Sequence, residues 1–134
     1  MASSVPIERR GLWKRVGNRV YLCGTLGAAF DRWQRARAAV SAAEAYETQR
    51  LGLVEIEKLM DAQEAEARAA VEADGRERLL PRRSPGYGEM PLALSREILE
   101  KLDATRKIGV ALTESLSLVP TKSVTAICEV ELKS

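Results

Sequence analysis

The sequence predicts a mainly α protein: a long antiparallel helical hairpin with a small β element. Three observations carry this. Residues Leu26 to Asp74 contain no proline, and from Ala28 onward their only glycine is Gly52. A second apolar-periodic stretch, Leu92 to Leu118, follows a loop rich in proline and glycine. The last stretch, "SVTAICEVELKS", alternates with a period of two. The 134 residues fit a single domain with a modest core.

Residues 1–25 form a basic segment that reads as a β-hairpin. In "LWKRVGNRVYLC", two short strands flank Gly17-Asn18, a recognised turn pair. A two-residue turn sets Val16 opposite Arg19, Lys14 opposite Tyr21 and Trp13 opposite Leu22. The competing reading is a short helix from Pro6 to Val16 with Gly17 just past its end.

Residues 26–74 read as one helix, with Thr25 as its N-cap and Gly75 as its C′ residue. Such a helix is roughly 70 Å long. A 3,4 spacing marks an expected oligomer seam of Ala39, Ala42, Tyr46, Gln49, Leu53, Ile56, Met60, Gln63, Ala67 and Ala70. Gln49 and Gln63, two heptads apart, are candidates to fix register as buried amides, or else they face water at the seam's edge. Residues 75–91, "GRERLLPRRSPGYGEMP", read as a loop, with Tyr87 between two glycines as a contact tip. Residues 92–118 read as the second helix, with an apolar stripe of Leu94, Ile98, Leu102, Thr105, Gly109, Leu112 and Leu116. It is too short to cover the half of the first helix near Trp33 to Tyr46, so that half is expected to be covered by the amino-terminal segment, another subunit or a different protein. Residues 122–133 form a terminal strand that needs an edge, and the hairpin offers one.

Charge is unevenly distributed although the net charge is only +2. Residues 1–40 carry eight basic and two acidic side chains, and residues 41–74 carry three and nine. On one continuous helix this order opposes the macrodipole, an arrangement that suits a partner better than an isolated helix. Arg9, Arg10, Lys14, Arg15, Arg19, Arg32, Arg35 and Arg37 are the candidates to contact nucleic acid or another anion, with Trp13 and Tyr21 interleaved to stack bases.

Little in the sequence suggests catalysis. There is no histidine, so the commonest general base and metal ligand is missing. No phosphate-cradling glycine loop occurs. Cys23 and Cys128 match no metal spacing and read as reduced, buried thiols. No catalytic, cofactor-binding or metal-binding residue is assigned, and no cofactor is implied. The apolar run Val20 to Phe30 would span only about 16 Å as a helix, too short for a bilayer. No signal peptide or transmembrane segment is expected, which argues against an integral membrane protein.

The expectation is therefore a non-catalytic subunit of a multi-subunit complex, cytoplasmic or within an assembled particle such as a virion. Its partners would be copies of itself, other proteins, or both. A nucleic-acid-binding accessory protein and a peripheral membrane protein using residues 9–30 are the alternatives. In architecture alone, with no shared motif, a helical hairpin plus terminal strand resembles ring-forming phage packaging or connector subunits.

Overall fold

Four antiparallel strands lie between one long helix and two short ones. This computed structural model describes residues 5–134, so the first four residues of the amino-terminal segment lie outside the described residues. Strands β1 (Arg10–Val16) and β2 (Arg19–Thr25) form the hairpin, with Trp13 opposite Leu22 and Val16 opposite Arg19. Helices α1 (Ala28–Ala38) and α2 (Ala42–Val71) follow, then a three-residue strand β3 (Glu77–Leu79). Helices α3 (Leu94–Leu102) and α4 (Ala104–Ile108) precede a tiny hairpin of β4 (Ala111–Leu112) and β5 (Leu118–Val119). The last strand, β6 (Ser123–Leu132), is central, and the order is β1-β2-β6-β3.

The mainly α helical hairpin is thus incorrect. The chain is mixed α/β, 42% helical and 25% strand, with a curled sheet at its centre. Alternation along β2 and β6 explains the layering. Val20, Leu22, Ala126, Cys128 and Val130 pack with Met60, Ala67 and Val71 of α2. Tyr21, Cys23 and Ile127 point the other way and pack with Ile98, Leu99, Leu102 and Ile108. The second helical stretch therefore covers the opposite sheet face rather than α2. It is also shorter than predicted. Asp103 (φ 53°) interrupts it and Gly109 (φ 72°) ends it, and both residues are left-handed.

The predicted 26–74 helix breaks at residues 39–41. Ser41 caps α2, its hydroxyl accepting the Glu44 amide at 3.1 Å. Ser41-Ala-Ala-Glu44 is the sequence pattern of a capping box, a start signal inside the alanine-rich run. The break lets α1 fold back on α2, where Leu26, Phe30 and Ile56 form a third cluster with Trp33 and Leu59. Of the stretch from Trp33 to Tyr46, Trp33 packs in this cluster together with Val5 and Ile7 of the amino-terminal segment, whereas residues 35–43 and Tyr46 stay exposed.

The break also restores the charge logic. Helix α1 has Asp31 in its first turn and Arg35 and Arg37 in its last. Helix α2 has Glu44 in its first turn and Arg68 in its last. Each of the two helices follows its own macrodipole, so the reversed order was a consequence of joining them.

The sheet curls around α2. Outer strands of a flat four-stranded sheet stand roughly 14 Å apart. Here Arg15 of β1 reaches Glu77 of β3 with a two-pronged ion pair, both contacts 2.7 Å. Gly24 of β2 lets the helix sit close, because a Cβ there would lie 2.8 Å from the Met60 sulfur.

Candidate interaction surface

The predicted seam separates into two faces. Ile56, Met60 and Ala67 are buried against the chain's own sheet and α1. Gln63 is half-buried beside Gly11. Ala39, Ala42 and Ala70 are exposed, as are Tyr46, Gln49 and Leu53. The true inward face of the amino half of α2 is Thr48 and Gly52, two and three residues away from the predicted Tyr46 and Gln49. Gln49 accepts from Gln34 Nε2 at 2.8 Å and from Lys122 Nζ at 2.6 Å, which ties α1, α2 and the approach to β6 together.

What remains outside the core is an apolar stripe. Tyr46 is 66% exposed, Leu53 50% and Val54 43%. Tyr46 and Leu53 are two turns apart on one face, and Glu57 is one turn further on. Glu57 lies on the wall of the largest cleft, of about 870 Å³. The cleft is bounded by loop residues Arg82 to Glu89, by Leu116 to Leu118, and by Ser123 to Thr125 at the start of β6.

The basic candidates are dispersed and mostly neutralised. Arg9 pairs with Glu55, Arg10 with Glu8 and Arg37 with Glu44. Arg15 holds Glu77, whose carboxyl the guanidinium hydrogen bonds keep below its ordinary value. Arg19 pairs with Glu129 at 2.9 Å and lies 3.6 Å from Glu97. Lys14, Arg32 and Arg35 are exposed and make no ion pair among the described residues. Trp13 is half-buried, with its indole N–H donated to Glu66 at 3.1 Å. Tyr21 is buried and donates to Glu97 at 2.7 Å, with burial the main cause of its raised pKa. Neither ring is free to stack on a base.

The strongest cation cluster went unnoticed in the sequence. Arg82 reaches Glu57 at 2.8 Å, Asp61 at 2.8 Å and Glu64 at 2.7 Å, fixing the loop after β3 to α2. The clue was the spacing of those acids at i, i+4 and i+7 along one helical face. A second buried polar group is Lys122, 7% exposed, whose pKa burial lowers. Asp31 accepts the Thr121 amide at 2.6 Å beside it. Both thiols are buried, and burial pushes Cys23 and Cys128 up to about 12. No helix is long and apolar enough to cross a membrane among the described residues. No group of three His, Cys, Asp or Glu residues that could hold a metal ion occurs among them either. Comparison with protein-family models and with curated proteins finds no match to this chain.

Proposed function

We propose that this chain is a non-catalytic subunit that joins other polypeptides, copies of itself included, in a larger assembly. The supporting observation is the exposed stripe of Tyr46, Leu53 and Val54 on α2, outside the face of Thr48, Gly52, Ile56 and Met60 that the chain itself buries. Folding does not need these side chains outside, and a tyrosine and a leucine at helical spacing are the kind of anchor that protein interfaces bury. Of the two earlier supports, the reversed charge order no longer applies, and the uncovered half-helix is reduced to residues 35–43 and Tyr46, which stay exposed. With the helical hairpin gone, the likeness to ring-forming phage subunits loses its basis as well. The nucleic-acid alternative is weakened by the internal pairing of Arg9, Arg10, Arg15, Arg19 and Arg37.

The test is the mass in solution by light scattering over a concentration range. A species larger than the monomer is expected. Tyr46→Glu with Leu53→Glu should return it to the monomer without loss of helicity. A wild-type chain that stays monomeric at high concentration would remove the self-association form of this reading.

A further inference from the structure

We infer that the cleft beside β6 is a strand-addition site for an extended segment of another protein. This deepens the assembly reading by stating what kind of partner segment the chain accepts. Along β6, Val124, Ala126 and Cys128 sit opposite Gly24, Leu22 and Val20, with their main-chain groups turned toward β2. Ser123, Thr125 and Ile127 therefore turn their N–H and C=O groups toward the other edge. Ile127 is satisfied there, exchanging main-chain hydrogen bonds with Arg83 at 2.8 and 2.9 Å. Neither Thr125 nor Ser123 has a partner strand on that side.

The sequence explains the gap. Continuing the Arg83–Ile127 register by two residues would bring Pro85 opposite Thr125. Proline has no N–H to give, and the chain turns away at Ser84 instead. The vacated path is the floor of the cleft, and Thr125 and Ser123 are both buried residues that line it. An occupant that pairs with the main-chain groups of Ser123 and Thr125 would continue the ladder that Pro85 interrupts.

The surroundings specify the occupant. A strand laid here runs antiparallel to β6, takes up to four main-chain hydrogen bonds, and needs free N–H groups at alternate residues. On the α2 face its side chains meet Val124, on the opposite face they meet Leu118, and loop 84–89 with Tyr87 lines the cleft. Arg82 is already engaged by three carboxylates, whereas Arg83 is exposed on the rim with no carboxylate within 4.0 Å among the described residues. The matching segment is therefore extended, proline-free at alternate positions, apolar in its middle, and acidic at the end nearest Arg83.

The test selects random seven-residue peptides, displayed on an inert carrier, against the immobilised full chain, and then uses the best peptide in synthetic form. Its binding should slow amide exchange at Ser123 and Thr125 at least tenfold. Methylating alternate peptide nitrogens should weaken binding at least tenfold. Arg83→Gln should weaken a peptide bearing the acidic residue several-fold. Thr125→Pro, which removes one donor and fills the slot, should abolish binding; if that variant misfolds, the methylated peptide still decides. No enriched peptide, unchanged exchange at Ser123 and Thr125, or indifference to methylation would each overturn the proposal. Light scattering on the same samples separates the two readings. A larger species that binds no peptide retains assembly and removes strand addition, whereas a monomer that binds peptide retains strand addition and removes only self-association.

Discussion

Gly52→Ala should destabilise the protein, against the ordinary rule for a helix interior. Alanine is favoured over glycine in a helix by about 1 kcal/mol. At Gly52, however, a Cβ would stand 2.7 Å from Lys122 Cε and 3.0 Å from two ring carbons of Phe30. Comfortable carbon–carbon contact begins at about 3.5 Å. Phe30 is fully buried and cannot swing out. Lys122 can retreat only by stretching or losing its 2.6 Å bond to Gln49. Overpacking of this kind costs about 1–3 kcal/mol, and a lost hydrogen bond to a charged group adds about 1.5–3 kcal/mol. Partial relaxation set against the helical gain leaves a net loss of about 1–2 kcal/mol. Urea unfolding followed by far-UV circular dichroism measures it as a lower midpoint at unchanged slope. The Lys122→Ala background removes the tighter contact, so the loss there should shrink by about 1 kcal/mol, which a double-mutant cycle reads directly. If Gly52→Ala stabilises the wild-type chain, or if the two positions prove additive, the close packing of α1, α2 and the approach to β6 is wrong.

Three further outcomes are expected. Arg82→Met should cost about 2 kcal/mol in urea unfolding, because the poorly exposed Glu64 loses a partner while Glu57 and Asp61, both well exposed, lose little; Arg82→Lys should fall between the two, since an ammonium lacks the fork. The lowered pKa of Glu77 means that its pairing with Arg15 stabilises the fold above the unfolded carboxyl value of about 4.3 and is lost as pH falls through the lower folded value, so Glu77→Gln should flatten the acid side of the stability profile and leave its alkaline side unchanged. Neither thiol should react with a disulfide reagent at pH about 8 in the native protein, and both should react in denaturant, because burial holds them near 12.

The hairpin and the terminal strand were legible because their signals are local. Gly17-Asn18 sets the turn, and alternation in Val20 to Cys23 and in Val124 to Val130 marks the two faces. The helical part misled because alanine is silent about direction. Ala36 to Ala43 supports a helix equally well whether or not the chain turns inside it, and the Ser41 to Glu44 pattern lies within an otherwise continuous helical periodicity. The stripe of Leu94, Ile98 and Leu102 was read as seeking another helix, yet a sheet face offers the same apolar contact. Tyr21, Cys23 and Ile127 were the hint that this sheet would be covered on both sides. Within the seam, Ile56, Met60 and Ala67 were legible as a packing face but were read as an oligomer contact rather than as the chain's own core, and the small shift at Thr48 and Gly52 was hidden, because it depends on where α1 lands. The cleft lay beyond reach. It is created by Pro85 diverting the chain from an edge that only the assembled sheet defines.

The position of β6 has a consequence for how the molecule forms. Arg19 is registered against Glu129, 110 residues away, so the interior strand of the sheet follows every other described element in the chain. A growing polypeptide makes the hairpin, α2 and α3 before the strand that joins them exists. Until it arrives, the inner edge of β2 is bare and Val20 and Leu22 have no complete layer to enter. Loop closure over such a separation is entropically expensive, so folding should be slow for a protein of this size and should have a late, cooperative final step. The open edge of β2 in that interval is the place where a chaperone, or a misplaced strand from another copy, would compete with β6.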